Sequence, residues 1–184
     1  MAIRKIIRMG HPVLRKEGKK VPIKNIKSPE IVSLIKDMHE TMKSSDGIGL
    51  AAPQIGESLQ LAIIEIPEDS PRYPGTKKSD LLIIFNPKVT ILDKKNQGYW
   101  EGCLSLPGLR GYVERPRKIR VDFLNENGEE VSLKLEGFLS TVFQHEIDHL
   151  NGKLYVDRMK DPKKFSYTEE YDKYHSDEGE NFSE

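Results

Sequence analysis

The stretch Gln144-His145-Glu146-Ile147-Asp148-His149-Leu150-Asn151-Gly152 constrains this chain more than any other. On a helix, His145 and His149 leave the same face one turn apart, so both imidazoles can close on a single metal ion. Glu146 stands beside the first of them and can reach water activated at that metal without being a ligand. A carboxylate so placed takes a proton as the water attacks a carbonyl. The spacing alone also arises by chance on solvated helix faces. Here Phe138, Val142, His145 and His149 form one stripe at helical spacing, and Leu139, Phe143, Glu146 and Leu150 form the stripe beside it, which puts the histidines on the apolar side. Buried polar groups require partners, and one metal supplies a partner to both rings. Asn151-Gly152 then ends the helix with a residue able to take a left-handed cap. The stretch proposes a metal hydrolase.

Such a helix needs a core to bury against, and 184 residues suffice for one domain and not for two. Lys plus Arg number 29 and Asp plus Glu number 29, so the balance is neutral and offers no argument for sequence-specific nucleic acid or an anionic membrane as a partner. Met1 to Arg8 is basic but runs into Gly10-His11-Pro12 without an apolar core of signal-peptide length, and no segment is long enough to span a bilayer. A cytoplasmic protein is expected. The single cysteine, Cys103, cannot form an intramolecular disulfide, which leaves its thiol for packing, catalysis or metal.

Pro12 and Pro22 mark turns, and His11 reads as a turn histidine. Ser28 can cap a helix, Pro29 suits its first position, and Ile31, Leu34, Ile35, Met38 and Met42 repeat at helical spacing; His39 is a partly exposed residue of that helix. The helix runs out at Ser44-Ser45-Asp46-Gly47. The following Gly47-Ile48-Gly49-Leu50-Ala51-Ala52-Pro53-Gln54 has neither the lysine of a Walker loop nor the third glycine of a dinucleotide fingerprint. It reads instead as a tight segment whose backbone comes close to something, with the Gln54 amide as a donor. Leu59 to Pro67 and Leu81 to Leu92 are strand-like, and Pro71 to Asp80 reads as a polar loop. Lys118 to Leu124 and Glu130 to Leu135 alternate around Asn125-Glu126-Asn127-Gly128, a hairpin signal. Residues 1–160 form the expected catalytic domain, and 161–184 an acidic tail that is loosely packed or disordered.

A hydrolytic metal site usually has three protein ligands and one open position. The metzincin pattern places a third His six residues after the second, and Tyr155 stands there instead. A thermolysin-like site needs a later glutamate; Glu169 and Glu170, like His175, fall in the weakly structured tail. Cys103, between Gly102 and Leu104 in an apolar, sheet-edge segment, is the better candidate, since a thiolate binds borderline and soft ions strongly. The competing reading of a lone cysteine is a small buried hydrophobe.

Gly47-Ile48-Gly49-Leu50-Ala51-Ala52-Pro53-Gln54, Glu101-Gly102-Cys103-Leu104-Ser105 and Gln144-His145-Glu146-Ile147-Asp148-His149-Leu150 resemble, in order and without a mismatch, the three signature motifs of the peptide deformylase family. Gly108 to Pro116 is similar to the family's continuation of the second motif. The resemblance implies a metal held by Cys103, His145 and His149, with Glu146 as general base and then acid. It implies Gln54 and the Leu104 N–H as oxyanion donors. It also implies that Ile48, Gly49, Gly102 and Arg110 contact substrate. The implied reaction is hydrolysis of the formyl group from N-formylmethionine of newly made polypeptides, releasing formate, with transient ribosome contact allowed. Family members typically use Fe(II) and tolerate Ni, Co or Zn. The chain departs from the pattern at its end, where a short acidic tail replaces the long C-terminal helix of some members.

Two other readings remain. A zincin-type endopeptidase rests on the HExxH stretch alone and needs a third ligand other than Cys103. A structural metal module leaves Glu146 without a task and has three ligands where structural zinc normally has four. The expected fold is α+β: mixed, mostly antiparallel sheets around a central HExxH helix, with the Ser28 helix packed outside.

Overall fold

The computed structural model describes residues 2–66, 78–176 and 181–182. Ser28 opens helix α1 (Pro29–Ser44) as its chemistry dictates: its Oγ accepts the Ile31 N–H, and Pro29 takes the first turn, where no N–H is needed. Ile31, Leu34, Ile35, Met38 and Met42 are buried along one stripe, while His39 stays partly exposed and pairs with Glu65 at 2.7 Å. His11 caps a short 3-10 turn, its Nδ1 accepting the Val13 N–H.

The strands are β1 (Gly49–Ala51), β2 (Leu61–Ile64), β3 (Leu82–Ile91), β4 (Asn96–Cys103), β5 (Leu106–Pro116), β6 (Lys118–Leu124), β7 (Glu130–Glu136), β8 (Phe165–Tyr167) and β9 (Asn181–Phe182), with helices α2 (Phe138–Leu150) and α3 (Thr168–Tyr174). Five of them make one sheet in the order β1-β2-β3-β6-β7 and four a second in the order β8-β5-β4-β9. Every pairing of named strands is antiparallel, so the mixed sheet expected from the sequence is corrected: parallel pairing among the described residues is confined to an isolated bridge, Lys19 with Leu59. The fold is α+β. The hairpin at Asn125 to Gly128 joins β6 to β7, with Gly128 at φ 79°, where glycine carries no steric cost. Pro87 interrupts β3 at a register shift, and Asn86 there takes φ 50° while its amide exchanges two hydrogen bonds with the Val21 backbone.

The continuous apolar run Leu61 to Ile64 is buried throughout because it has a helix on each face. Leu61 and Ile63 pack with the α1 stripe. Ile64 packs with Val142, Phe143 and Ile147 of α2, and Ala62 with Leu150. Helix α2 starts after Gly137 and is released by Gly152 at φ 68°, where an added Cβ would lie 2.7 Å from the Arg15 carbonyl carbon. Of its two expected apolar stripes, Leu139 is the exception: it lies in the first turn and is exposed.

The polar loop expected over 71–80 lies outside the described residues save for 78–80, and the expected tail is described to Ser176 and at 181–182. Over 161–176 it carries β8, which extends the second sheet beside β5, and α3, yet each of those residues is half-buried or exposed. No helix of the described residues is long and apolar enough to cross a membrane.

Candidate active site

Three elements converge at the C-terminal half of α2. The first is α2 itself, carrying His145, Glu146 and His149 on its buried side. The second is the end of β4, which delivers Cys103 just before the two-residue turn Leu104-Ser105 leads into β5. Among the described residues β4 is paired with β5 at that end, while β9 pairs with Gln97 and Gly98 at the other. The third is β1 and the 3-10 turn after it, carrying Gln54.

Ligand atoms of Cys103, His145 and His149 lie within 4.8 Å of one another, the sole such His, Cys or carboxylate group among the described residues. Cys103 Sγ is 3.3 Å from His149 Nε2. His145 donates through Nδ1 to Glu101 Oε2 at 2.7 Å, which turns its Nε2 toward the cluster. Burial drives the His149 pKa well below the ordinary imidazole value, and the charge of His145 pushes it the same way. For His145 burial also acts downward, but hydrogen bonds with Cys103 and Glu101 outweigh it and hold the pKa well above. Two imidazoles, one of them ring-neutral by environment, and a thiol suit a borderline divalent ion.

The carboxyl of Glu146 is buried beside this cluster, and burial is the main cause that raises its pKa to about 7. Its Oε2 has no hydrogen-bond partner among the described residues. Gly49 explains how β1 comes so near: a Cβ built there would stand 2.3 Å from Glu146 Oε1. Gln54 is oriented by its own carbonyl, which accepts the Ala51 N–H at 2.8 Å. Its NH₂ therefore points the other way, 3.5 Å from Cys103 Sγ and 3.4 Å from Ser105 Oγ. This is a donor aimed into the cluster, and the Leu104 N–H leaves the backbone directly after Cys103.

Ile48 is half-buried, precedes β1 and accepts the Glu65 N–H; Gly102 adjoins Cys103. Arg110 is not brought in with the others. It pairs with Gly102 across the β4–β5 ladder, and its guanidinium lies 5.6 Å from the centre of the Tyr171 ring on α3. Gly111, the next residue, faces Tyr155 and Met159, so alternation sends Arg110 to the opposite face of the sheet. Glu169, Glu170 and His175, the other ligands considered, belong to this α3 region, where His175 stacks on Trp100.

A buried ionic network that sequence reasoning missed surrounds these groups. Arg115 is 3% exposed and binds Glu101 twice, at 2.6 and 3.0 Å, and Asp148 at 2.7 Å. Burial would raise the carboxyls of Glu101 and Asp148; Arg115 with His145 for the first, and Arg158 with Arg115 for the second, hold both below the usual carboxylate range. The only sequence signal was Asp148 between two ligands on a buried helix, a charge that had to be paired.

The family model for polypeptide deformylase matches residues 3–165. The chain belongs to the polypeptide deformylase family. It is 49% identical over 172 residues to a peptide deformylase of Leptospira biflexa, covering 94% of this chain and 96% of that protein. It is 44% identical to peptide deformylase 1 of Prochlorococcus marinus, covering 92% and 88%. Among solved structures, a class I type b peptide deformylase from Acinetobacter baumannii bound to Met-Ala-Ser superposes with a TM-score of 0.81 at 33% identity, covering 86% of this chain and 99% of that one. A peptide deformylase from Synechococcus elongatus in complex with actinonin gives 0.77 at 37% identity, covering 94% and 86%. Deformylases are hydrolases that remove the N-formyl group from nascent polypeptides, and this is the activity of the chain.

Proposed function

We propose that the deformylation is carried out by Cys103, His145, His149, Glu146, Gln54 and Leu104 in the roles their geometry supports. The observation that carries this reading is the three-donor cluster with a buried carboxylate and an oriented amide donor beside it. Cys103, His145 and His149 would hold one divalent ion, which when bound polarises the formyl carbonyl and makes water acidic enough to be activated near neutral pH. Glu146 takes the proton of the attacking water and passes it to the methionine nitrogen as the C–N bond breaks, so formate and a free amine leave. Burial of this carboxyl beside the cluster favours its holding a proton between the two halves of that transfer. The Gln54 NH₂ and the Leu104 N–H donate to the oxygen that gains charge.

The sheets are arranged about α2 as the central element, with α1 outside, and the site lies beside the edge strand β1. An extended substrate would pair along the edge of β1 at Ile48 and Gly49 and past Gly102, with Arg110 opposite Gly102 across the β4–β5 ladder. The formyl carbon bears only hydrogen, and a wall as close as Gly49 excludes larger acyl groups, which separates this enzyme from an endopeptidase. Similarity to the family supports Fe(II) as the native ion, with Ni, Co or Zn able to substitute, in a cytoplasmic enzyme meeting its substrates as they leave the ribosome. The test is metal analysis of protein purified without oxygen, with Cys103→Ser alongside. Iron near one equivalent, lost in the variant, with oxygen-sensitive activity preserved by nickel, is the expected result. Full metal retention by Cys103→Ser would defeat the ligand set and revive the endopeptidase reading.

A further inference from the structure

The 3-10 turn Tyr155–Arg158 lies outside all three motifs, and it reaches His145 by two routes. The first is direct. Tyr155 stands where a metzincin would place its third histidine; here its ring lies against the His145 ring, 6.2 Å between centroids and 19° between planes, and the residue is 1% exposed. Gly111 makes room for it, since a Cβ there would come within 2.8 Å of Tyr155 Cε2. The second route is ionic. Arg158 grips Asp148 with two bonds, at 2.6 Å to Oδ1 and 3.1 Å to Oδ2. Asp148 Oδ2 also binds Arg115, Arg115 binds Glu101 twice, and Glu101 Oε2 accepts a hydrogen bond from His145 Nδ1. The signs alternate along Arg158, Asp148, Arg115 and Glu101, and of these only Arg158, at 42% side-chain exposure, stands substantially in water. The turn is itself fixed by Asp157, which accepts the Leu154 N–H and pairs with Arg15.

Without Arg158, two buried carboxylates share one guanidinium. Arg115 is then drawn toward Asp148, and its hold on Glu101, the group that sets the tilt and tautomer of His145, loosens. We propose that the Tyr155–Arg158 turn positions His145 for metal: Tyr155 by stacking on the ring, and Arg158 through the Asp148–Arg115–Glu101 relay. The proposal rests on the reading of His145 as a ligand. Both act through His145, so both are positioning residues.

The experiment follows release of Ni(II) from loaded protein into excess chelator and records the visible spectrum of the Co(II)-loaded form. The variants are Arg158→Met, Arg158→Lys, Tyr155→Phe and Tyr155→Leu. Arg158→Met and Tyr155→Leu are expected to release metal about ten- to a hundredfold faster, the range found when outer groups around a ligating histidine are removed. Their Co(II) bands should shift, and release should quicken by more than any lowered melting temperature of the metal-free proteins accounts for. Arg158→Lys and Tyr155→Phe, which keep the charge and the ring, should recover most of the effect. Release and spectrum unchanged in Arg158→Met and Tyr155→Leu would overturn the proposal. So would faster release that tracks lost stability of the metal-free protein and is not recovered by the conservative variants. A wild-type protein that retains neither ion would overturn the ligand reading itself, and the reference arm shows that case separately.

Discussion

Gly49→Ala tests the site with a single methyl group. The added Cβ would stand 2.3 Å from Glu146 Oε1, 2.6 Å from Cδ and 2.8 Å from Cγ. Ordinary contact begins at 3.4 Å, so the carboxylate must retreat by about 1 Å, the difference 3.4 − 2.3. It cannot swing into solvent, because Glu146 is buried on a helix whose neighbours Ile147 and His149 are also buried. A displacement of about 1 Å in a group that must meet its proton at hydrogen-bond distance costs on the order of a hundredfold in rate. That corresponds to about 2.7 kcal/mol of transition-state stabilisation. The assay is formate release from a short N-formylmethionyl peptide, with metal content measured on the same samples. Gly49→Ala is expected to keep its metal and lose about a hundredfold in kcat. Gly47→Ala is the control: its Cβ would meet the flexible Leu104 Cδ1 at 3.0 Å, and activity should stay within about threefold of wild type. Gly49→Ala with full activity and full metal would refute the argument that β1 sets the place of Glu146.

Gln54→Ala should retain metal and lose about 3 kcal/mol of transition-state stabilisation, read as a fall of roughly 150-fold in kcat. In metal-free protein the Glu146 carboxyl, raised to about 7 from 4.5, favours the folded state less as pH climbs between those values. Metal-free Glu146→Gln should therefore be more stable than metal-free wild type above pH 7, by up to roughly 3 kcal/mol in denaturant titrations, and the gap should close below pH 4.5; a gap that is absent above pH 7 would contradict the burial argument. Arg115→Met leaves Glu101 and Asp148 buried and short of charge, and should cost about 3–5 kcal/mol in chemical denaturation.

What the sequence disclosed follows from the range of the interactions involved. Ser28-Pro29, the stripe from Ile31 to Met42, the Asn125 to Gly128 turn and the His145 to His149 spacing are local signals. Each specified its element before any tertiary contact was known. Cys103 was open between packing and ligation until 46 residues of separation collapsed to 3.3 Å from His149. The long strand β5 was not legible as one strand, since Pro107, Gly108 and Gly111 interrupt its pattern, and Gly108 takes φ 74°. The Arg115 network joins residues 14 and 33 positions apart, and no periodicity in the chain encodes it. Tyr155 stands six residues past His149, and no local pattern encodes its stacking on His145, which the turn after α2 brings about. The tail's composition is that of a weakly packed segment, yet pairing of Phe165 to Tyr167 with Leu109 to Gly111 gives it a strand.

The central claim is most directly tested by formate release from an N-formylmethionyl peptide by protein prepared without oxygen and loaded with Fe(II) or Ni(II), with Glu146→Gln assayed beside it. Rapid release by the wild type and its collapse by at least about a thousandfold in a folded, metal-loaded variant are predicted, within the range for loss of a general base. A wild-type protein holding one equivalent of metal that releases no formate would contradict the account.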